Sequence, residues 1–362
     1  MRAAICRGIG DISVEDIDEP TPRGGEIKIK VAAVGVCHTD LSILTGHLPS
    51  PRPIVLGHEG AGVVVEVGPG VREFAVGDHV VCSIIGGCGR CRYCLTGDQP
   101  LCEETLFFTG KMLDGTTRLS QGGEPIHSLH YQASFAEYAV VPERFATKVA
   151  DDAPLDKVCG FACGVSTGMG AAMIRANVTP GSSVLVVGAG GVGCSAMLGA
   201  RVKGATQIIA VDIAANKIAR AKERGWATDV IDATDNDVVS AVRDLTGGRG
   251  VDYAFDAVGT SVTAEVAIAA TRQGGTCVII GRADATVLAS IDTSQFLRHK
   301  WVTGTFGGSI IPKVHIPQFV DLYQQGRLDL DGLLDARYSF DQIGTALDDL
   351  HHGRMTRGVV VM

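Results

Sequence analysis

The tightest constraint on the fold lies between Val184 and Asp212. Val184-Leu185-Val186-Val187 is an unbroken apolar run, the pattern of a strand buried on both faces. It leads straight into Gly188-Ala189-Gly190-Gly191-Val192-Gly193. The residues from there to about Lys203 suit a helix, and Ile208-Ile209-Ala210-Val211 is a second apolar strand ending on Asp212. A G-x-G-x-x-G run alone is a weak signal. Here a strand precedes it, a helix follows it, and an acid stands nineteen residues beyond the last glycine, which together form the dinucleotide fingerprint.

Each residue of that run has its own reason. Gly188 permits the tight turn, Gly190 lets the backbone approach a pyrophosphate, and Gly193 lets the helix pack on the strand. Gly191 and Val192 open the helix, whose N-terminus favours phosphate charge. Asp212 would accept hydrogen bonds from ribose hydroxyls and repel a 2′-phosphate, so NAD is expected rather than NADP. Lys217, five residues on, either reaches the ribose or is a solvated helix lysine.

The alternation continues, with strands expected at 251–255 and 276–280 and helices near 237–245 and 262–272, so the fold class is α/β with a doubly wound parallel sheet. Residues 1–36 read differently. Ile27-Lys28-Ile29-Lys30-Val31 has a clean two-residue period, and 63–67 and 78–82 are further short strands, so this part is β-rich. The tail carries helices near 316–325 and 341–352 and an apolar final strand at 359–361, which returns the chain to its first domain. A chain of 362 residues is long for one core, which also favours two domains.

Charge and composition exclude some classes. The net charge of −8 argues against nucleic acid or an anionic membrane as a main partner. Asp11, Glu15, Asp16, Asp18 and Glu19 interrupt any signal-peptide pattern. Residues 177–200 are uncharged but contain Pro180, Gly181 and the glycine cluster, so a strand, turn and helix explain them better than a membrane span. Of eleven cysteines, five fall between Cys82 and Cys102, which points to metal ligands in a reducing, cytoplasmic setting rather than disulfides.

Two cysteine-bearing patterns carry metal chemistry. Cys88, Cys91 and Cys94 recur every third residue, and Cys102 follows after a seven-residue gap. Four thiolates on one loop make a closed tetrahedral zinc site, structural rather than catalytic. The other pattern runs from Cys37-His38-Thr39-Asp40 to Gly57-His58-Glu59, with a candidate third ligand at Cys163. Two sulfurs and an imidazole would hold a zinc and leave one position open. Thr39 is either a proton-passing hydroxyl or a turn threonine. Asp40 either orients the imidazole of His58 or caps a helix. Glu59 either tunes the metal or is a surface carboxylate. Phe107, Phe108, Leu129 and Tyr131 line an apolar pocket or belong to the core, with the core favoured.

Taken together, Gly57-His58-Glu59, the four-cysteine lobe, Cys163-Gly164-Val165-Ser166-Thr167-Gly168, the nucleotide fingerprint, Phe306-Gly307-Gly308 and Arg357 resemble the zinc-dependent medium-chain alcohol dehydrogenases. The resemblance covers nearly the whole chain. It implies a GroES-like catalytic domain of residues 1–164 and 306–362 and a Rossmann domain of 165–305. It implies a catalytic zinc on Cys37, His58 and Cys163 with Glu59 beside it, a structural zinc on the four-cysteine lobe, and Thr39 as the first proton-relay hydroxyl. His38 and Arg357 are expected at the cofactor pyrophosphate and Thr167 near the nicotinamide. Leu48, Ile84, Leu101 and Leu129 match substrate-pocket positions. The implied reaction is hydride transfer between NAD and a primary alcohol with an apolar or aromatic body, in a homodimer; the alternatives are an aldehyde reductase or a glutathione-dependent formaldehyde dehydrogenase-like enzyme, a non-catalytic nucleotide-binding protein, and a tetramer. Three departures stand out. Ser42 replaces the histidine of a complete relay, leaving ribose and water or a group such as His47. Leu106 replaces the arginine of the glutathione-dependent formaldehyde branch. Arg282 replaces an apolar pocket residue, and either biases the substrate or points to solvent.

Overall fold

The computed structural model describes residues 1–105, 108–282 and 287–362. Packing divides the chain into two compact units, one of Met1–Cys163, Ile311–Gly326 and Leu333–Met362, the other of Gly164–Ile310 and Arg327–Gly332. Sequence boundaries at 164/165 and 305/306 leave residues 306–310 and 327–332 with the first unit; packing puts them with the second.

The first unit is built on the strand Glu26–Gly35. Ile27, Ile29 and Val31 face a core of which each is at most 2% exposed, and each such side chain contributes roughly 1.5–3 kcal/mol by leaving water. The opposite face is also covered. Lys28 is buried along its stem and pairs with Glu19 and Glu66, so the strand is not half-exposed as its alternation suggests. Gly60–Val67 pairs with it antiparallel, and so does Tyr138–Pro142. The final strand Gly358–Val361 closes on it too, with Val360 opposite Val34, which returns the end of the chain to its beginning. A second sheet brings Arg2–Gly8 against Asp11–Asp16 and Ile54–Val55.

The second unit holds a parallel sheet of β1 (Ser183–Val187), β2 (Gln207–Asp212), β3 (Asp229–Asp232), β4 (Val251–Asp256), β5 (Thr271–Ile279) and β6 (Trp301–Gly304). Among the described residues the strand order is β3-β2-β1-β4-β5-β6, the order of a dinucleotide-binding sheet with its switch point beside β1. Leu185, Ile209, Ala254 and Cys277 are fully buried on its strands. The uncharged stretch 177–200 is accounted for by β1 and the helix Gly191–Val202. Among the described residues no single helix is long and apolar enough to cross a membrane.

Candidate active site

Strand register brings the first ligand set together. Val34 stands opposite Gly60, and the ladder extends one step further, with Gly35 N–H donating to the Glu59 carbonyl at 3.0 Å. Residues just past the first strand therefore meet residues just before the second. Cys37 follows the one and His58-Glu59 precede the other. Cys163 arrives at the end of the short turn Cys159–Ala162, which is tied down by Ile84 N–H on the Ala162 carbonyl at 3.4 Å. One donor atom from each of Cys37, His58, Glu59 and Cys163 lies within 4.8 Å of the others.

The imidazole is aimed from behind. Fully buried Asp40 accepts from His58 Nδ1 at 3.2 Å and from Gly57 N–H at 2.8 Å with the same oxygen. That bond holds a ring proton on Nδ1, so Nε2 is the nitrogen that can serve as a donor to a metal once its own proton is lost. His58 Nε2 is buried with no conventional hydrogen bond, and one ring nitrogen of His58 lies within 4.8 Å of both sulfurs. Asp40 thus orients the ligand rather than capping its helix, His38–Leu44.

Protons are shared unequally in this cluster. Hydrogen bonding from Cys163 holds the Cys37 thiol well below its ordinary range, and the same pairing, with burial, pushes Cys163 well above. Burial works against a charged His58, but Asp40 and the Cys37 sulfur outweigh it and hold the imidazole well above its usual value. Burial also raises Glu59, against the pull of Arg357. Two sulfurs, a ring nitrogen and a carboxylate form a donor set that suits zinc. A divalent cation would expel the protons that Cys163 and His58 retain without it.

Arg357, expected at the cofactor pyrophosphate, meets Glu59 in this structure. Its guanidinium is buried and donates to Glu59 Oε2. The reason is electrostatic: Glu59 is fully buried, and a carboxylate there needs a buried cation beside it. Gly35 makes the room, since a Cβ there would fall 2.1 Å from Glu59 Oε2. Neither relation has a local signature, because Glu59 and Arg357 are 298 positions apart.

Around the cluster, Thr39 is half-buried with Oγ1 3.9 Å from Cys37 Sγ. His38 is exposed at the start of the helix. Ser42 is half-buried, while His47 is exposed and bonds Thr45 Oγ1 through Nδ1 at 2.8 Å. Ile84 and Leu129 are buried, and Leu48 packs partly buried on the main core. Leu101, expected in the substrate pocket, is 53% exposed at the end of the turn Gln99–Leu101, while its neighbour Cys102 is turned inward. Tyr131 is core, packed on the Phe145 ring. Arg282 is exposed. Leu106 and Phe107 lie outside the described residues.

Residues 130–133, of which the sequence reading singled out only Tyr131, carry unusual backbone. His130, Tyr131 and Ala133 all take left-handed φ values of 48°, 62° and 52°. Such residues cost on the order of 1–3 kcal/mol each and persist only where their surroundings fix them. The His130 ring meets that of His58 edge-on at 5.3 Å and that of Phe108 at 4.8 Å.

Cys88, Cys91, Cys94 and Cys102 form the second cluster, again with all sulfurs within 4.8 Å. Cys91 N–H donates to Cys88 Sγ at 3.3 Å and Cys88 N–H to Cys102 Sγ at 3.4 Å. Backbone N–H groups of Glu103 and Cys94 hold the Cys91 thiol down to about 6, while burial pushes Cys94 up to about 12. Four sulfurs leave no ligand position open for chemistry.

In the second unit, Gly188 has φ 95° and Gly190 precedes the helix Gly191–Val202. A Cβ at Gly190 would meet nothing within 4 Å, whereas one at Gly193 would fall 1.7 Å from the Gly188 carbonyl oxygen. The first glycine leaves open space beside the helix N-terminus, and the other seats the helix on its loop. Asp212, at the end of β2, accepts from Ala189 N–H at 2.8 Å and Ala214 N–H at 2.9 Å. It therefore also ties the glycine loop to the next turn, beyond its expected ribose role. Lys217 is half-buried in the first turn of the helix Ala215–Glu223, and Thr167 is half-buried in Gly164–Gly170.

Residues 23–151 match the family described as alcohol dehydrogenase GroES-like domain, and residues 191–325 match zinc-binding dehydrogenase. The chain is 40% identical to an alcohol dehydrogenase zinc-binding domain protein from Burkholderia ambifaria, over 100% of this chain and 98% of that one, with a TM-score of 0.96. The chain belongs to the zinc-dependent medium-chain alcohol dehydrogenases. A benzyl alcohol dehydrogenase from Acinetobacter calcoaceticus is 37% identical over 100% and 99% of the two chains, with a TM-score of 0.94. A Sinorhizobium meliloti protein described as a zinc-binding dehydrogenase, solved with NADP, is 27% identical over 100% and 99%, with a TM-score of 0.83. As a member of this family, the chain is an oxidoreductase of the zinc alcohol dehydrogenase type, with a GroES-like β-rich domain and a Rossmann-type parallel sheet.

Proposed function

We propose that this dehydrogenase interconverts a primary alcohol of apolar or aromatic body and its aldehyde, using NAD. The observation that carries the reading is the donor cluster of Cys37, His58, Glu59 and Cys163 within 4.8 Å, with Asp40 behind the imidazole. Cys37, His58 and Cys163 hold a zinc, and Glu59, neutralised by Arg357, stands beside it. A bound zinc polarises an oxygen ligand and brings its proton loss near neutral pH. Thr39, on the turn after Cys37, takes part in moving that proton. Buried Ile84 and Leu129 and half-buried Leu48 favour an apolar substrate body, as does the likeness to the benzyl alcohol dehydrogenase.

Gly188, Gly190, Gly193 and the helix that starts at Gly191-Val192 cradle the pyrophosphate. The Asp212 carboxylate favours a free ribose 2′-hydroxyl over a phosphate there, which is why NAD is preferred although a relative holds NADP. The four-cysteine lobe holds a second, structural zinc. We also propose a homodimer, for which the exposed edge of the parallel sheet speaks.

The test is reduction of NAD and of NADP with ethanol, hexanol, benzyl alcohol and formaldehyde with glutathione. Benzyl alcohol or hexanol with NAD is expected to give the highest kcat/KM. A clear preference for formaldehyde with glutathione, or for NADP, would overturn the substrate or the cofactor assignment respectively.

A further inference from the structure

The tetrapeptide Gly57-His58-Glu59-Gly60 supplies two of the four donors and is gripped at both ends by one segment of the same unit. Ser134 N–H donates to the Gly57 carbonyl at 2.8 Å, and Phe135 N–H to the Leu56 carbonyl at 3.0 Å. Gly60 N–H donates to Gln132 Oε1 at 3.2 Å, and the Ser134 hydroxyl donates to that same oxygen at 2.8 Å. Gln132 Nε2 reaches the Cys82 carbonyl at 3.5 Å. Gln132 is 2% exposed and Ser134 fully buried, so water does not substitute for these bonds.

The fit is close on both sides. A Cβ at Gly57 would lie 2.4 Å from Phe135 N, and one at Gly60 would lie 2.3 Å from Ser134 Oγ. Between these grips the His130 ring rests edge-on against His58. Asp40 holds the ligand ring through one nitrogen and fixes its direction; the 130–135 segment fixes the backbone from which the ring springs. The left-handed residues His130, Tyr131 and Ala133 make geometric sense here, because they turn the chain so that both the His130 ring and the Gln132 amide point at the ligand peptide.

We propose that Gln132 is a positioning residue for the catalytic metal site, acting as the keystone of a brace (His130, Gln132, Ser134) that sets His58 and Glu59. This rests on the zinc reading given above. The brace predicts a local effect: weakening it loosens the Cys37–His58–Cys163 zinc and leaves the four-cysteine zinc, on another loop, as an internal control.

The experiment begins with the zinc content of the unmodified chain, then compares Gln132→Met, which keeps volume but removes the acceptor, with Ser134→Ala, which removes only a hydroxyl. Release of each zinc to a chelator is followed. The absorption spectrum of cobalt placed at the catalytic site is recorded for each protein. Loss of outer partners of a metal site lowers metal affinity or activity by about 10–100-fold. The catalytic zinc of Gln132→Met is expected to leave about 10-fold faster, with a shifted cobalt spectrum, a lowered kcat and an unchanged KM for NAD. Ser134→Ala, the variant that reports if Gln132→Met does not fold, is expected to move in the same direction by less. Two zincs in the unmodified chain with unaltered release and spectrum in the variants would overturn the brace alone, as would equal loosening of both zincs. An unmodified chain holding one zinc would overturn the metal reading and the brace with it.

Discussion

At the scale of single residues, Thr39 and Asp212 carry the sharpest expectations. Thr39 Oγ1 lies beside the Cys37 sulfur but is outside the donor cluster, so replacing it separates proton transfer from metal binding. Thr39→Ala is expected to lower kcat by about 10²–10⁴-fold, the usual contribution of a positioned proton-transfer group. Zinc content should stay unchanged and Thr39→Ser should restore most of the rate. A Thr39→Ala enzyme with wild-type kcat would assign the proton elsewhere. Asp212→Ser should raise the NADP-to-NAD ratio of kcat/KM by about 10-fold or more, since a hydrogen bond to a charged group is worth roughly 1.5–3 kcal/mol. The bonds from Ala189 and Ala214 predict some loss of thermal stability alongside. Residue types and spacing made Cys37, His58 and the four-cysteine set legible, because metal chemistry restricts donors to a few side chains. They could not reveal Arg357 on Glu59, Gly35 beneath it or Gln132 behind Gly60. Those relations join distant stretches, and buried Arg, Gly and Gln look locally like any others.

At the scale of elements, the parallel sheet was the most legible part. Four of its strands, at 184–187, 208–211, 251–255 and 276–280, are short apolar-rich runs separated by helical stretches, a rhythm that gives the α/β class, whereas β3, Asp-Val-Ile-Asp, and β6, Trp-Val-Thr-Gly, have no such run. Ends were harder to read. The helix expected to 272 stops at Ala270, where Thr271 enters β5. The helix expected near 316 begins at Pro312, because proline at the first helical position gives up an N–H that has no partner there anyway. The glycine loop supports a direct test of element packing. Gly193→Ala would set a Cβ 1.7 Å from the Gly188 carbonyl oxygen, a backbone atom that cannot simply rotate away. The helix Gly191–Val202 must then lift from its loop. Nucleotide affinity should fall at least 10-fold and the second unit should lose about 1–3 kcal/mol of stability, the usual cost of forcing extra volume into a packed site. Equilibrium dialysis of NAD and a denaturant titration measure the two. Gly190→Ala, which meets nothing within 4 Å, should weaken NAD binding without that loss of stability, since its space belongs to the ligand.

For the whole molecule, metal content and copy number are the open quantities with physical answers. Two donor clusters predict about two zincs per chain. The four-cysteine zinc should resist chelation longer, because a closed site must unfold its loop to release the ion. Copy number turns on the edge of the parallel sheet. β6 pairs with β5 on one side and, among the described residues, has no strand on the other, so its backbone groups offer a template for another strand. Three apolar side chains at or before it are turned outward: Leu288 is 85% exposed, Leu297 84% and Trp301, the first residue of β6, 69%. An exposed apolar face beside an open edge marks an association surface. The partner best matched to an edge strand is the same strand from a second copy, since two-fold antiparallel pairing satisfies both edges at once and closes the assembly. Sedimentation of the unmodified chain is therefore expected to give a dimer at micromolar concentration. Trp301→Lys together with Leu297→Glu should shift it to monomer while both zincs stay bound, because both residues belong to the second unit and every donor belongs to the first. A double variant that still sediments as a dimer would place the interface elsewhere, and an unmodified chain that sediments as a monomer would remove the need for one.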